Sequence, residues 1–476
     1  KLEGSISGEV TVEQCYTPRR AVRMLSPSTT TTTSINANWQ EGVNNTGLNF
    51  PSDNINPNPG YGTHISGSTQ GNFGFDATPS GNPSLYAFNI STQTWDSLEN
   101  TDTNTLTAGE PLLMLIRGDR SINVTTINAT PTPTKLRSKG LIVKGPISPD
   151  LTAANTANQF ALVGNPFHAT VDMEMILGSS TDLQQNFTVW DPSLGGTPVP
   201  SELGGRGAYV TVNVINNTNS NSDSDMKNYL QPYQAFFVET DGNSPSLTFE
   251  ETHKSLDQAQ IELFNSTTSS QFVKMKLYDQ LSFDNEDTSD DGLVIYFASN
   301  SSNAINSQDA SKFFNTDENL ARYQDNTYLS YENRALPEVG EELELFTSQY
   351  RTTNYVFEIE TGDFPNLSLY LRDNYTETET ILNSNTINTY AFSIDESTTE
   401  SQATDRFELK FDSPLSVDDF KNQSILVYPN PIKDILNISF DQSIVDLESF
   451  ELYDINARLM TKINLKNKPL QDLQIK

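Results

Sequence analysis

The densest group of side chains that could bind a metal ion is the acidic run at residues 284–292, Asp-Asn-Glu-Asp-Thr-Ser-Asp-Asp-Gly. In this run, Asp287, Ser289 and Asp291 have the spacing that opens an EF-hand calcium loop. The bidentate acid that such a loop needs near its twelfth position is absent, because that position is Ala298. The pattern therefore predicts a solvated acidic loop without a cofactor, and calcium bound with help from another loop is the alternative.

The three histidines, His64, His168 and His253, are the candidate ligands and general bases. They are far apart in the sequence and lack the spacing of a zinc motif, so a zinc site would require them, or carboxylates, to converge in the fold. A Ser–His–Asp triad can be assembled from any sequence order, but the chain has no Gly-x-Ser-x-Gly nucleophile turn. We therefore predict no catalytic residues, no metal site and no enzymatic activity.

Three further features have both a functional and a structural interpretation. Residues 117–119 spell the adhesive tripeptide Arg-Gly-Asp, but they follow a strong apolar strand and Gly-Asp is common in turns. Cys15, the single cysteine, has the chemistry of a nucleophile, but it lies in an alternating run where a half-buried strand position is expected. Trp39, Trp95 and Trp190 are candidates for stacking on a glycan, and each is equally compatible with a position in the core.

These side chains must be positioned by β-strands. Short runs of β-branched and aromatic residues, bounded by Gly, Pro, Asn or Asp, recur along the chain. The clearest runs lie at residues 111–117, 208–215, 234–239, 293–297, 355–360, 367–371 and 407–411. Helical periodicity is nearly absent, and we expect two short helices, near residues 309–314 and around residues 170–177. The pattern predicts an all-β protein built from sandwiches or barrels.

Composition restricts the partners of the chain. Its 61 acidic and 29 basic residues give a formal net charge of −32, and a surface this negative repels nucleic acids and anionic lipids. Aromatic residues at 10% argue against disorder, since they supply apolar surface for a core. No apolar run approaches the ~18–20 residues needed to cross a bilayer, so we expect a protein that is not itself transmembrane. The first residues have no initiator Met and no signal-peptide core, so we expect the chain to begin inside a longer polypeptide.

Resets in the hydrophobic pattern divide the chain. Residues 1–255 are predicted to form a β-rich surface module, and residues 256–413 a β-sandwich. Residues 414–423 have the composition of a linker, and residues 424–476 form a smaller third unit. In the first module, residues 54–62 are expected to be a long ordered loop, because their prolines and glycines are incompatible with a central strand.

The third unit has its own local signals. Tyr428 ends a strand, and residues 429–431, Pro-Asn-Pro, form a rigid turn that lacks two amide donors. Leu436 and Ile438 lie on the apolar face of the next strand. Tyr453 then precedes a turn and the returning arm of a hairpin. By themselves these signals predict a small β-sandwich.

The same residues closely resemble the type A C-terminal sorting domain of the type IX secretion system of Bacteroidetes. That family combines a Tyr-Pro-Asn-Pro turn, a Leu-x-Ile strand and a Tyr-Asp-x-x-Gly-Arg hairpin. The resemblance implies that the matching positions are recognised as the export signal. These positions are Tyr428, Pro429, Asn430, Pro431, Leu436, Ile438, Tyr453, Asp454, Arg458 and Leu459. Ala457 replaces the family's usual Gly, which is favoured there for its positive φ. The family's terminal Gly-x-Tyr strand is also missing, so we expect an Ig-like sorting domain that is incomplete at its C-terminus.

The upstream part carries a second resemblance, to an uncharacterised module that is found beside these sorting domains in large surface proteins of the Flavobacteria type. The residues that carry it lie at positions 19–21, 29–33, 38–42, 59–64, 117–121 and 163–166, with positions 291–293, 317–320 and 349–353 in a companion sandwich. This resemblance implies no established catalytic role for either part. Together with the third unit, it predicts two consecutive β-sandwich-like domains followed by the sorting domain.

The resemblance also implies partners and a destination. The folded sorting domain would be recognised at the outer membrane by a shuttle barrel protein and the translocon, and a sortase would cut in the linker and attach the product to lipopolysaccharide. The leading hypothesis is a non-enzymatic, adhesin-like protein that is exported across the outer membrane to the cell surface or the extracellular space. Two alternatives stay open: accessory C-terminal modules of a secreted hydrolase whose catalytic domain lies upstream, and a glycan-binding module.

Overall fold

A computed structural model of the chain describes residues 6–196, 207–255 and 271–413, and in the C-terminal part residues 425–428, 436–440, 449–453, 458–464, 466 and 473–475. The chain divides into two compact units, Lys1–Asp412 and Ser413–Lys476. The residues on both sides of the boundary predicted after residue 255 belong to the larger unit. The predicted linker at residues 414–423 lies outside the described residues.

The elements of the larger unit fall into three consecutive groups. The first group is β1 (Val10–Tyr16), β2 (Ala21–Leu25), β3 (Thr29–Thr31), α1 (Ile35–Trp39), β4 (Ser66–Ser68), β5 (Asp76–Ala77), β6 (Leu85–Asn89), β7 (Thr94–Ser97), β8 (Leu112–Ile116) and β9 (Thr134–Ile142). The second is β10 (Phe160–Gly164), β11 (Val171–Asp172), α2 (Met173–Gly178), β12 (Leu183–Asp191), β13 (Ala208–Asn213), β14 (Thr218–Asn219), β15 (Tyr229–Leu230) and β16 (Ala235–Thr240). The third is β17 (Gln271–Asp279), α3 (Gln280–Asp284), β18 (Asp291–Phe297), β19 (Ala310–Ser311), β20 (Asn319–Gln324), β21 (Thr327–Arg334), β22 (Glu342–Ser348), β23 (Asn354–Thr361), β24 (Ser368–Asp373), β25 (Thr378–Leu382), β26 (Ile387–Ser393) and β27 (Phe407–Asp412). Short 3-10 turns lie at Asn72–Gly74, Glu251–His253 and Thr399–Gln402.

The first group forms a three-stranded sheet in the order β1-β9-β3 and a four-stranded sheet in the order β2-β8-β6-β7. Alternate residues of β8 are buried, as expected for a strand with one face on a core. That core contains Trp39, Met114 and Leu136, none of which is exposed. Helix α1, which supplies Trp39, begins after Ser34, whose side chain accepts a hydrogen bond from the Ala37 amide.

The second group forms a five-stranded sheet in the order β10-β16-β12-β13-β14. Every residue of β13 and β16 is buried, because both faces of the sheet are covered. Phe236 packs with Phe187 and Phe249 in one cluster of rings. Its neighbour in the sequence, Phe237, points to the opposite face and stacks on Phe313 of the third group.

The third group forms an eleven-stranded sheet in the order β25-β24-β27-β22-β20-β21-β18-β17-β23-β26, with β19 paired to β21. Residues from β17 to β27 share one core, so the sheet curls around its own interior. Strand β18 is buried along its whole length. Leu293 and Ile295 belong to that interior core, whereas Val294 and Tyr296 form a second cluster on the outer face. The outer face of this sheet therefore packs against other parts of the larger unit.

The smaller unit contains β28 (Ile425–Tyr428), β29 (Leu436–Phe440), β30 (Ser449–Tyr453), β31 (Leu459–Asn464) and β32 (Leu473–Ile475). Strands β28, β29 and β32 form one sheet, and β30 and β31 form a hairpin. With these strands, the predicted all-β class is confirmed. Within the described part of the chain, no helix has both the length and the apolar character needed to cross a membrane.

The two predicted helices have different outcomes. The helix expected around residues 170–177 is present as α2, but the helix expected near residues 309–314 is wrong, because that segment contains strand β19. The Asp309 carboxylate accepts hydrogen bonds from the backbone amides of Asn306 and Asn333, both at 2.8 Å. Long-range pairing of β19 with β21 then keeps the segment extended.

Two smaller predictions can also be compared with the structure. Residues 54–62 are an ordered loop, as predicted, and Asn54 Nδ2 donates a hydrogen bond to the Arg120 carbonyl at 2.8 Å. Cys15 lies in strand β1, but the expected half-buried position is wrong, since the residue is exposed.

Candidate functional site

The predicted export-signal residues begin in the sheet of the smaller unit. Strand β28 ends at Tyr428, which lies opposite Asn437 of β29 in the antiparallel register. Leu436 and Ile438 are in β29, as predicted, and this strand also pairs with β32. The remaining predicted recognition residues of this segment, Pro429, Asn430 and Pro431, lie outside the described residues.

The second part of the predicted signal is the hairpin of β30 and β31. Tyr453 lies opposite Leu459, and the register shifts just before this pair. Tyr453 and Leu459 are each 51% exposed, Met460 is 63% exposed, and Arg458 is also exposed. The hairpin therefore presents apolar and basic side chains to solvent beside the Tyr453–Leu459 pair, where the two strands are connected. The position of Asp454 lies outside the described residues.

The acidic run at residues 284–292 leads into the interior rather than into a calcium loop. Both carboxylate oxygens of Asp291 lie 2.6 Å from the Lys312 ammonium, and both side chains are 1% exposed. Burial raises the pKa of Asp291, and the Lys312 charge opposes that shift. Asp290 is also buried and lies 3.0 Å from Arg351. The predicted solvated loop is therefore wrong for these two acids, and among the described residues no group of three or more His, Cys, Asp or Glu could hold a metal ion.

His64 is the histidine that most resembles half of a catalytic pair. Its Nδ1 lies 3.1 Å from Asp76 Oδ1, and the Asp76 carboxylate also accepts both arms of the Arg120 guanidinium, at 2.8 and 3.1 Å. Burial alone would raise the pKa of Asp76, but His64 and Arg120 hold it well below its ordinary value. The backbone amides of Asn45 and Ile65 donate to the same carboxylate. All three ionisable side chains are buried, so the cluster fastens loops together and has no open side for a substrate.

The other residues with a functional interpretation are also part of the scaffold. Asp119 of the Arg-Gly-Asp tripeptide is buried and accepts hydrogen bonds from the Gly60 amide at 2.7 Å and the Thr132 hydroxyl at 2.8 Å. The Asp119 carboxylate is thus engaged in contacts within the fold. Trp39 has no exposure, and Trp95 packs edge-on against Phe237. Trp190 packs in the same way against Tyr209. All three tryptophans therefore take part in the packing of the fold, with Trp95 and Trp190 half-buried.

A cleft in the larger unit is the feature that the sequence did not indicate. It has a volume of about 650 Å³ and lies where the five-stranded and eleven-stranded sheets meet. Its floor is formed by the buried side chains of Gln184, Asp309 and Leu329, and Ser311 and Thr327 stand half-buried on its walls. The exposed rim includes Asn158, Asp241, Ile305, Ser307 and Asn326.

The cleft is built to form hydrogen bonds. Its lining is made mostly of amides, hydroxyls and carboxylates, and it includes no Lys or Arg among the described residues. Burial raises the pKa of Asp309 to about 6, so at neutral pH this carboxylate is mainly ionised and acts as an acceptor. Because its residues come from distant parts of the chain, no local motif could have revealed it.

The sheets and the tail together define an exported all-β protein. Residues 426–476 match the family described as "Secretion system C-terminal sorting domain", and the chain is a type IX secretion substrate with a C-terminal sorting signal. Residues 22–411 match the family described as "Domain of unknown function (DUF8693)", and the chain belongs to this family. That match spans the predicted boundary after residue 255. Comparisons with curated proteins and with solved structures find no match.

Proposed function

We propose that this chain is a non-enzymatic, adhesin-like protein that acts at the cell surface or outside the cell after export by the type IX system. The sorting signal carries the export part of this proposal. The binding part is supported by the nature of the larger unit. The ionisable side chains that resemble catalytic groups, such as Asp76 with His64 and Asp291 with Lys312, pair with one another inside the fold. The open cleft instead offers amides, hydroxyls and carboxylates, which suit binding.

The proposed partners of the tail are an outer-membrane shuttle barrel protein and the translocon. The hairpin is the surface that they would contact, because Tyr453, Leu459 and Met460 expose apolar area that a small unit normally covers. A sortase would then cut between the two units and attach the product to lipopolysaccharide. Nucleic acids are not proposed partners, since the net charge of −32 opposes a polyanion.

Export is tested with hairpin variants in a type IX-competent host. The full chain, carrying a signal peptide for the inner membrane, is expressed with Leu459→Ser and Met460→Ser together, and its periplasmic and extracellular fractions are measured. We expect most of this variant to stay in the periplasm. Lys462→Gln is the matched control, because Lys462 is exposed on the same strand and its surface ion pair with Glu451 contributes little stability. Equal export of the double variant and the control would reject the hairpin as the contact surface.

Adhesion and catalysis are separated with the purified chain. Beads coated with the chain should adhere to cells or to glycan-coated surfaces, and the same preparation should show no turnover of peptide, ester or glycoside substrates. Turnover that survives repurification and co-elutes with the chain would establish an enzyme. Absence of adhesion to every surface tested would reject the adhesin-like function and leave the export signal untouched.

A further inference from the structure

The cleft between the five-stranded and eleven-stranded sheets contains a buried polar atom without a partner. Gln184, in strand β12, is 9% exposed, and its Oε1 is shielded from solvent and accepts no hydrogen bond from the described residues. Leaving a buried carbonyl oxygen unpaired costs roughly 1–3 kcal/mol. Because the Gln184 side chain lines the cleft, turning its amide toward a ligand hydroxyl would give this oxygen a donor and recover the loss.

A neighbouring amide in β12 shows the contrast. Asn186 lies two residues further along, and its Nδ2 donates to the Asp309 carbonyl at 2.8 Å. Its Oδ1 accepts a hydrogen bond from Asn213 at 2.9 Å. The fold thus satisfies the amide that faces the protein and leaves an acceptor of the amide that lines the cleft unsatisfied.

Charge limits the class of ligand. The cleft contains two carboxylates, Asp241 and Asp309, and no cationic side chain among the described residues that line it. Together with the net charge of −32, this opposes phosphates, sulfates and other anions. A bound metal ion is opposed as well, because the described residues contain no cluster of three or more His, Cys, Asp or Glu that could coordinate it.

The hydrogen-bonding groups that line the cleft match the hydroxyl groups of a ligand. A hydroxyl donates one hydrogen bond and accepts others. The lining offers Gln184, Asp309 and Ser311 as acceptors, since the Ser311 hydroxyl donates its own proton to Glu239, and Thr327 as a group that can both donate and accept. Leu329 on the floor and Ile305 on the rim add apolar surface for the C–H face of a ring. A volume of about 650 Å³ is within the range of small-ligand sites.

The geometry points to this cleft as a binding site for an uncharged polyhydroxylated ligand, a neutral glycan unit, with the Gln184 Oε1 accepting a hydrogen bond from a ligand hydroxyl. This inference rests on the binding role proposed above, and it is independent of export. Strands β12, β19 and β21 hold the floor and walls, so the site is largely formed before the ligand arrives.

The purified full chain is tested first on an array of neutral, phosphorylated and amino-substituted glycans, and the best ligand is then titrated by calorimetry. We expect neutral glycans to bind with dissociation constants at or below the millimolar range. Gln184→Leu should weaken the binding about tenfold or more, because the ligand hydroxyl loses its acceptor. Its midpoint of thermal unfolding should not fall, since the substitution removes an unpaired buried group.

Controls separate binding from folding. Gln14→Leu changes a glutamine in strand β1, away from the cleft, and should leave the affinity unchanged. If Gln184→Leu does not fold, Asn158→Ala on the exposed rim provides the second variant and should also weaken binding. Unchanged affinity in the folded cleft variants, or binding of phosphorylated or amino sugars alone, would overturn the inference. If the cleft variants adhere to cells as well as the unaltered chain does, the adhesin-like function stands and the assignment of this site is wrong.

Discussion

Asp76→Asn is the substitution that most sharply separates a structural from a catalytic interpretation of the larger unit. The Asp76 carboxylate accepts hydrogen bonds from two backbone amides, from Gln40 and from two nitrogens of Arg120, between 2.8 and 3.1 Å. Asparagine must turn its NH2 group toward some of these donors, whichever way the amide is placed. It also leaves the Arg120 guanidinium buried without its counter-ion.

The expected loss follows from that geometry. Neither the Asp76 nor the Arg120 side chain has any exposure, so solvent cannot replace the missing charge. Removing one partner of a buried ion pair typically costs about 3–5 kcal/mol. The pairing to both arms of the guanidinium and the further amide donors place this case within that range. We therefore expect Asp76→Asn to lower the free energy of unfolding by at least about 3 kcal/mol.

Urea unfolding of the full chain, followed by tryptophan fluorescence, measures this loss. Trp39 is fully buried in one core cluster with Ile65 and Phe75, the sequence neighbours of His64 and Asp76, and therefore reports on unfolding of this region. Asp96→Asn is the matched control, because Asp96 is exposed, and its change should stay within about 0.5 kcal/mol. The double variant Asp76→Asn with Arg120→Met should lose less than the sum of the single losses, since it removes the unpaired charge. A loss below about 1 kcal/mol for Asp76→Asn, or strict additivity in the double variant, would refute the reasoning.

The remaining predictions concern backbone packing and pH. Gly140→Ala should destabilise the protein by about 1–3 kcal/mol, because its Cβ would lie 2.1 Å from the Thr30 carbonyl oxygen. By contrast, the Cβ of Gly178→Ala, near the end of α2, would meet no neighbour within 4 Å, so this substitution should be neutral or stabilising by up to about 1 kcal/mol. Thermal unfolding of the two variants measures the difference, and a Gly140→Ala variant more stable than Gly178→Ala would contradict the prediction. Burial raises the pKa of Glu239, although the Ser311 hydroxyl bonds to its carboxylate at 2.6 Å. The folded state therefore binds the Glu239 proton more tightly than the unfolded chain does. The free energy of unfolding should accordingly rise as the pH falls through the folded-state pKa toward the unfolded-state pKa of about 4.3. Glu239→Gln should remove this rise from the pH profile of the urea midpoint, and identical profiles would count against the assignment.

The strands could be predicted because their signals are local. The run at residues 111–117 alternates buried and half-buried positions in β8, as the pleat requires. The run at residues 293–297 is β18, where apolar residues on both faces meet two different clusters. The tail could be predicted for a similar reason, since its turn and strand residues lie close together in sequence. Tyr428 and Leu436 accordingly lie in paired strands.

The buried ion pairs and the cleft could not be predicted, because they depend on contacts between distant residues. Asp291 resembles a calcium ligand in its local sequence, and only the fold places Lys312 against it. The segment near residues 309–314 has helical character, but pairing with β21 makes it a strand. Gln184 and Asp309 come together only where two sheets meet. Local patterns contain no trace of such contacts.

Export of a shortened chain tests the central claim most directly. The full chain and a chain that ends before residue 425 are expressed with the same signal peptide in a type IX-competent host, and the fraction of each outside the outer membrane is quantified. Because residues 426–476 are the sorting domain, the shortened chain should accumulate in the periplasm as a folded, protease-resistant body. Normal amounts of the shortened chain on the cell surface or in the medium would contradict the account.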